Sequence, residues 1–291
     1  MRKGKHSRTA ESAAAFRAAH YLYDKTIIFN DPYADKMLGP ALRIALSNKY
    51  FYKLFFQLLL RPIFRPSQAH IVGRCRYAED CLENTLKEGV SQYLIIGAGL
   101  DTFSLRRPDL AKALTIYEVD HPDTQQFKIN KINKFMGNTP QNVNYIPLDH
   151  ETGSFSEALT QSSLDLTNPT FISWLGTTPY LSVDAIKRTL RDISSLFGAG
   201  TTIVFDYGIA TKLMKQEDLT AVKKLQKITA AMGEPLTFEI EPATFFEEVK
   251  ELGYQCLDDL NSDDYKSRYF EDRSDDLKPI GGSNFCRLGL V

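Results

Sequence analysis

Five short apolar runs punctuate the middle of the chain: Tyr93–Ile96, Leu114–Val119, Val143–Pro147, Thr170–Leu175 and Thr201–Phe205. Each is mostly apolar, broken only by single polar positions such as Glu118, Asn144 and Ser173, and reads as a strand. Between them lie helix-forming stretches, Pro122–Phe135 and Val183–Phe197, the second opening on Ser182 as an N-cap and expected to close at Gly198. Strands alternating with helices predict a parallel sheet covered on both faces, an α/β fold. Residues 1–90 read as mostly helical. A helix spans 8–24, the turn Asn30-Asp31-Pro32-Tyr33 starts another, helices continue to Leu60, stop at Arg61-Pro62 and resume around Ala69–Lys87. Beyond the fifth run come a helical stretch at Leu213–Met232, a helix Pro242–Leu252 ended by Gly253, and a strand Tyr254–Leu257. An acidic, polar stretch Asp258–Asp276 and a last strand Phe285–Val291 complete the pattern. The expected organisation is one domain: a helical cap over 1–90 and a core over 91–291 with a helical insert at 209–240.

The greasiest segment, Tyr50–Leu60, is too short to span a bilayer and carries Lys53. The simplest expectation is a buried helix. A helix lining an apolar pocket or touching a membrane surface is the sharper alternative.

Composition narrows the class without naming it. A hydrophobic fraction of 43% and a charged fraction of 24% fit a globular chain with a sizeable core. The net charge of −1 gives no electrostatic footprint for wholesale nucleic-acid binding. Cys75, Cys81, Cys256 and Cys286 form no CxxC pair, so the pattern indicates neither a zinc cluster nor a redox dithiol. The basic N-terminus (Arg2, Lys3, Lys5, Arg8) is followed by no apolar core of a secretory signal, and a cytoplasmic protein with reduced thiols is expected.

Chemistry concentrates where the apolar runs end. Tyr93–Ile96 leads into Gly97-Ala98-Gly99-Leu100-Asp101-Thr102, and the second run ends at Glu118-Val119-Asp120. Glycines let a backbone pass close to a ligand, and a carboxylate about 20 residues later can accept from ribose hydroxyls. NAD and S-adenosylmethionine both carry an adenosine. A dinucleotide fingerprint wants a third glycine, yet Thr102 stands there and Asp101 would repel a pyrophosphate. S-adenosylmethionine has no phosphate and tolerates both. Asp149 follows the third run, Gly176 and Tyr180 the fourth, and Asp206 and Tyr207 the fifth, all on the edge where α/β sheets collect ligands.

Taken in order, these motifs resemble the leucine carboxyl methyltransferase family, which includes bacterial small-molecule O-methyltransferases. The resemblance rests on Gly97–Thr102, Glu118-Val119-Asp120-His121-Pro122, Leu148-Asp149, Gly176-Thr177-Thr178-Pro179-Tyr180-Leu181 and the upstream Gly73-Arg74-Cys75-Arg76-Tyr77-Ala78-Glu79-Asp80. It extends to Ser7–Arg17, Asp31-Pro32-Tyr33-Ala34 and Gly233–Phe238. It implies a class I methyltransferase fold, Rossmann-like and mostly parallel with an antiparallel last strand, using S-adenosyl-L-methionine. By that resemblance Arg74 pairs with the methionine carboxylate, Gly97 and Gly99 lie against the cofactor, and Asp120 binds the ribose hydroxyls. Asp149 accepts from the adenine amino group with His150 beside it, Tyr180 faces the methyl-transfer region, and Arg17 sits on a helix that helps close the pocket. No metal is implied. One position departs from the family: relatives often carry Glu where this chain has Leu175 in Trp174-Leu175-Gly176. The departure implies weaker cofactor binding, a compensating carboxylate elsewhere, with Asp206 the nearest candidate, or lost activity.

Methyl transfer to a carboxylate needs no base at neutral pH, whereas a phenol or alcohol is helped by one. Tyr180 is the residue expected to align the acceptor, while His121 and His150 are expected near the adenosine, Trp174 in the core, and Arg76 on the surface. The expected acceptor is a small molecule. A protein C-terminal leucine, or a cofactor-binding chain without activity, stands as the alternative.

Overall fold

A computed structural model describes residues 6–149, 153–231, 235–237 and 239–291. Its centre is a seven-stranded sheet: β1 Gln92–Ile96, β2 Thr115–Asp120, β3 Val143–Pro147, β4 Thr170–Trp174, β5 Thr202–Gly208, β6 Tyr254–Leu260 and β7 Ser283–Leu290. The order is β3-β2-β1-β4-β5-β7-β6. β1 to β5 pair in parallel, and β7 runs antiparallel to both β5 and β6. Because the chain leaves β1 first toward β2 and later returns to β4, the carboxyl ends of β1 and β4 flank a topological switch point, where open α/β sheets bind ligands.

Strand pleat sends successive side chains of the central strands into two cores. Leu94 and Ile96 point into one core with Val119, Ile172 and the helix Val183–Leu196. Tyr93 and Ile95 point into the other, against the helix Arg61–Lys87. All five residues of β1 are buried. The second core is not purely apolar at its margin: Glu118 on β2 meets Lys128 of the helix Pro122–Met136 at 2.6 Å, and both side chains are almost fully inaccessible. Burial pushes the Glu118 carboxyl up, and Lys128 offsets only part of that.

The helix Arg8–Tyr23 opens on Ser7, whose hydroxyl accepts the Ala10 N–H. Its small residues Ala14, Ala18 and Ala19 let it pack closely in a third cluster with Met37, Leu38 and Leu46. Arg17 locks it to the sheet. Its Nε donates to Asp31 at 2.8 Å and its Nη2 to the Leu100 carbonyl at 2.7 Å, while Thr102 Oγ1 donates to the other Asp31 oxygen at 2.7 Å.

Several expectations need correction. The segment Tyr50–Leu60 is not a buried helix. Residues Tyr52–Leu59 wind as a π-helix, with the Leu60 N–H reaching the Phe55 carbonyl, and only Tyr52 of these is fully buried. The wider winding turns the apolar side chains over more than one face, so a single neighbour cannot cover them. The next helix begins at Arg61 rather than near Ala69, because Pro62 falls in the first turn, where its missing N–H costs nothing. The acidic stretch is partly ordered: Asn261 and Asp264 form a capping box that starts the helix Ser262–Phe270. The helix Val183–Leu196 does not close on a left-handed Gly198. That conformation belongs to Gly200, at φ +87°. Finally, β5 continues through Gly208, so Asp206 and Tyr207 lie within the strand and not after it.

Candidate active site

The turn after β1 is built on two left-handed glycines, Gly97 at φ +67° and Gly99 at φ +51°. Space enforces the same choice. A Cβ on Gly97 would sit 2.5 Å from Thr177 Cγ2, and one on Gly99 would sit 3.0 Å from Ala10 Cβ. The turn is therefore clasped between the loop after β4 and the N-terminal helix. Asp101, beside it, accepts the Phe103 N–H at 2.7 Å, just before the short helix Phe103–Arg106 whose N-cap is Thr102.

On one side of this turn stand the carboxylates of β2 and β3. Asp120 Oδ2 accepts the Gly99 N–H at 2.5 Å, and Oδ1 accepts the His121 N–H at 2.7 Å. Asp149 follows β3, whose end is tied to β2 by the Leu148 N–H to the Asp120 carbonyl at 2.8 Å. His121 joins the two: its Nδ1 accepts the Asp123 N–H and caps the following helix, and its Nε2 lies 3.7 Å from Asp149 Oδ2. His150 lies outside the described residues.

On the other side Arg74 and His70 gather around a fully buried carboxylate. Asp206 Oδ1 accepts the Gly176 N–H at 2.6 Å. Its Oδ2 takes both Arg74 Nη1 at 2.9 Å and His70 Nε2 at 3.1 Å. Burial alone would raise the Asp206 pKa, but the Arg74 charge, His70 and the Gly176 N–H together hold it well below the usual carboxylate range. Burial likewise opposes the Arg74 charge. Asp206 outweighs that, with a smaller contribution from Tyr180, and the net shift is upward. The guanidinium fills the space over Gly176, which is left-handed at φ +72° and whose Cβ would lie 2.2 Å from Arg74 Nη2.

The structure thus brings Arg74, Gly97, Gly99, Asp120, Asp149 and Tyr180 to one edge of the sheet. Tyr180 ends the single turn Thr178–Tyr180 and is half-buried. Arg17 is absorbed by Asp31 and Leu100 and braces the glycine turn rather than facing open space. Arg76 is a surface residue paired with Asp80 at 2.8 Å, and Trp174 is core. Leu175 is half-buried against the second core, one residue from the Gly176 N–H that Asp206 holds. His70 was not anticipated. The available signal was its spacing four residues before Arg74, which puts both on one face of a helix.

The group implied by the resemblance fits these residues. Arg74 Nε and Thr177 Oγ1 are buried without a hydrogen-bond partner among the described residues. Both lie at Gly176–Thr177, where a ligand bearing a carboxylate would satisfy them.

The chain is similar to known proteins in sequence and in fold. The family model described as leucine carboxyl methyltransferase matches residues 10–194. A Bacillus subtilis (strain 168) protein, YktD, named provisionally as an S-adenosyl-L-methionine-dependent methyltransferase, is 30% identical over 95% of each chain. A Mycobacterium marinum protein carrying the same provisional description is 29% identical over 68% of this chain and 66% of its own. Among solved structures, a methyltransferase, again provisionally named, from Thermobifida fusca YX superposes with a TM-score of 0.60 at 15% identity, covering 99% of this chain and 96% of that one. A DUF574 family protein from Streptomyces avermitilis MA-4680 superposes with a TM-score of 0.59 at 14% identity, covering 98% of each. At these identities the two structures speak for the fold alone.

Proposed function

The chain belongs to the leucine carboxyl methyltransferase family, and from that premise we propose that it is an O-methyltransferase that transfers the methyl group of S-adenosyl-L-methionine to a carboxylate or hydroxyl of a small molecule. The observation that carries this reading is the division of the site by the Gly97–Gly99 turn, with carboxylates on one side and Arg74 on the other. An adenosine seated at Asp120 and Asp149 would leave the amino-acid end of the cofactor at Arg74, across the glycines. The bound cofactor would supply an electrophilic methyl on a sulfonium, to be taken by an acceptor oxygen in line as S-adenosylhomocysteine leaves with the S–CH3 electron pair.

The protein's own work is then positioning. Arg74 offers a charged fork to the methionine carboxylate, and Asp206 orients that fork from behind. Asp206 also supports the reading that Leu175 is compensated, since its carboxylate occupies the neighbourhood the family glutamate would serve. Tyr180 aligns the acceptor. A carboxylate acceptor arrives ionised. A hydroxyl must lose a proton, and His70, held by a buried carboxylate and only partly exposed, is the base within the same cluster. The helix Arg8–Tyr23 lies against the cofactor turn through Ala10, on the side where it would shield a bound cofactor from water.

Methyl-tritiated S-adenosyl-L-methionine, incubated with the enzyme and either a metabolite extract or a protein extract, tests the proposal. Label entering low-molecular-weight, base-labile or ether-type products supports it. Label confined to protein favours the C-terminal leucine alternative, and no transfer despite cofactor binding favours an inactive binding protein.

A further inference from the structure

Eight of the fifteen large apolar side chains exposed anywhere among the described residues fall between Ile44 and Leu60. Tyr50 is 85% exposed, Ile44 69%, Leu58 65%, Leu59 62% and Leu54 59%. These side chains are concentrated in one short stretch of the chain, with Phe51 stacking on Phe55 at 5.3 Å, and exposed apolar surface of this extent marks an interaction site. Its charge says what covers it. From Lys36 to Ala78 the chain has no Asp or Glu, yet it carries eight Lys and Arg, in a protein whose net charge is −1. Lys49 and Lys53 are exposed within the patch and make no ion pair among the described residues. Arg43 and Arg61 stand at its two ends, each about half exposed, and reach Asp35 and Asp276.

We propose that residues 43–61 form a monotopic docking surface for an anionic lipid bilayer. Apolar side chains would enter the acyl boundary while Arg43, Lys49, Lys53 and Arg61 meet the headgroup charge, as in helices that lie in the interface plane. No helix of the described residues is long and apolar enough to cross a membrane, so the contact is superficial. A second copy of the chain fits worse. A two-fold interface sets the same patch against itself, and this one would oppose lysine to lysine with no carboxylate from the segment to relieve them. Tyr52 anchors the segment by stacking on Tyr23 at 4.0 Å, at the far end of the helix whose Ala10 touches the cofactor turn. Thirteen residues of helix separate those contacts, roughly 20 Å along its axis.

The test is co-sedimentation of the full chain with vesicles of phosphatidylcholine alone or mixed with phosphatidylglycerol, alongside analytical ultracentrifugation without lipid. The expected result is binding to the mixed vesicles, weakened by salt and at least fivefold weaker on phosphatidylcholine alone. Lys49→Glu and Lys53→Glu together should weaken mixed-vesicle binding by more than tenfold, at about fivefold or more per cation lost near the surface. Leu54→Ser with Leu58→Ser, both exposed and so tolerable to the fold, should lower binding to either lipid. The proposal is overturned if the wild type ignores both vesicles, if the lysine changes leave binding to mixed vesicles unaltered, or if the chain is a dimer that the leucine changes dissociate while vesicle binding is absent.

Discussion

Replacing Arg74 by Met separates what the guanidinium does for the fold from what it does for the cofactor. Its Nη1 lies 2.9 Å from Asp206 Oδ2, and the Asp206 side chain is wholly inaccessible. Removing one partner of a buried pair costs about 3–5 kcal/mol, because the remaining charge is stranded. Here the stranded carboxylate keeps the Gly176 N–H at 2.6 Å and His70 Nε2 at 3.1 Å, which places the expected loss at the low end, about 3 kcal/mol. For a chain of this size that corresponds to a fall of about 6 °C in the melting midpoint. Cofactor affinity is affected separately. A hydrogen bond to a charged group contributes about 1.5–3 kcal/mol, so S-adenosylhomocysteine should bind about 10- to 150-fold more weakly. Denaturant melts and calorimetric titration, both done where the variant remains folded, read the two effects. Arg74→Lys keeps the charge without the fork and should recover most of the stability but little of the affinity. A folded Arg74→Met protein that binds S-adenosylhomocysteine within twofold of the wild type would refute the assignment of Arg74 to the cofactor.

The remaining predictions concern the turn, the carboxylates and the buried pair. Asp120→Asn keeps one acceptor, for the Gly99 N–H, but sets its NH2 against the His121 N–H, so a stability loss of about 1 kcal/mol should accompany a roughly tenfold weaker binding of S-adenosylhomocysteine through loss of one charge-assisted bond; unaltered affinity in the titration of the folded variant would contradict the ribose assignment. Gly97→Ala should destabilise by about 1–3 kcal/mol in a denaturant melt, from its left-handed φ and the clash with Thr177 Cγ2, and Thr177→Ser should restore only the steric part. Glu118→Gln leaves Lys128 buried without its counter-charge and should cost about 3–5 kcal/mol in a denaturant melt; a loss below about 1 kcal/mol would contradict the cost assigned to breaking this pair. Leu175→Glu brings a second carboxylate toward Asp206 and should leave S-adenosylhomocysteine affinity unchanged or weaker; tighter binding would show that Asp206 does not stand in for the missing glutamate.

The sheet was legible because its signal is local. β3 coincides with its apolar run, and the other strands differ by a few residues at their ends, where a one-residue fray changes little hydrophobic pattern. What escaped the sequence depends on partners far along the chain. Asp206 looks like a residue after a strand until β7 is known to extend β5 through the pairing of Gly208 with Ser283. His70 carries no motif of its own and gains meaning only when the helix Arg61–Lys87 crosses β5, 136 residues later. Arg17 was placed only on a helix that helps close the pocket, and its own partner, Asp31, is a pairing that no periodicity encodes. The exposed patch was misjudged for the opposite reason. Hydrophobicity along Tyr50–Leu60 predicts burial only if something exists to bury it, and the fold provides cover for Tyr52 while leaving most of its neighbours exposed.

A crystal structure of the protein with S-adenosylhomocysteine bound tests the central claim most directly. The account predicts the ribose hydroxyls within hydrogen-bond distance of Asp120, the adenine beside Asp149, and the amino-acid carboxylate on Arg74, with the Gly97–Gly99 turn beneath the thioether. A ligand seated away from the carboxyl ends of β1 and β4, or one whose carboxylate ignores Arg74 while Arg74 stays paired with Asp206, would contradict it.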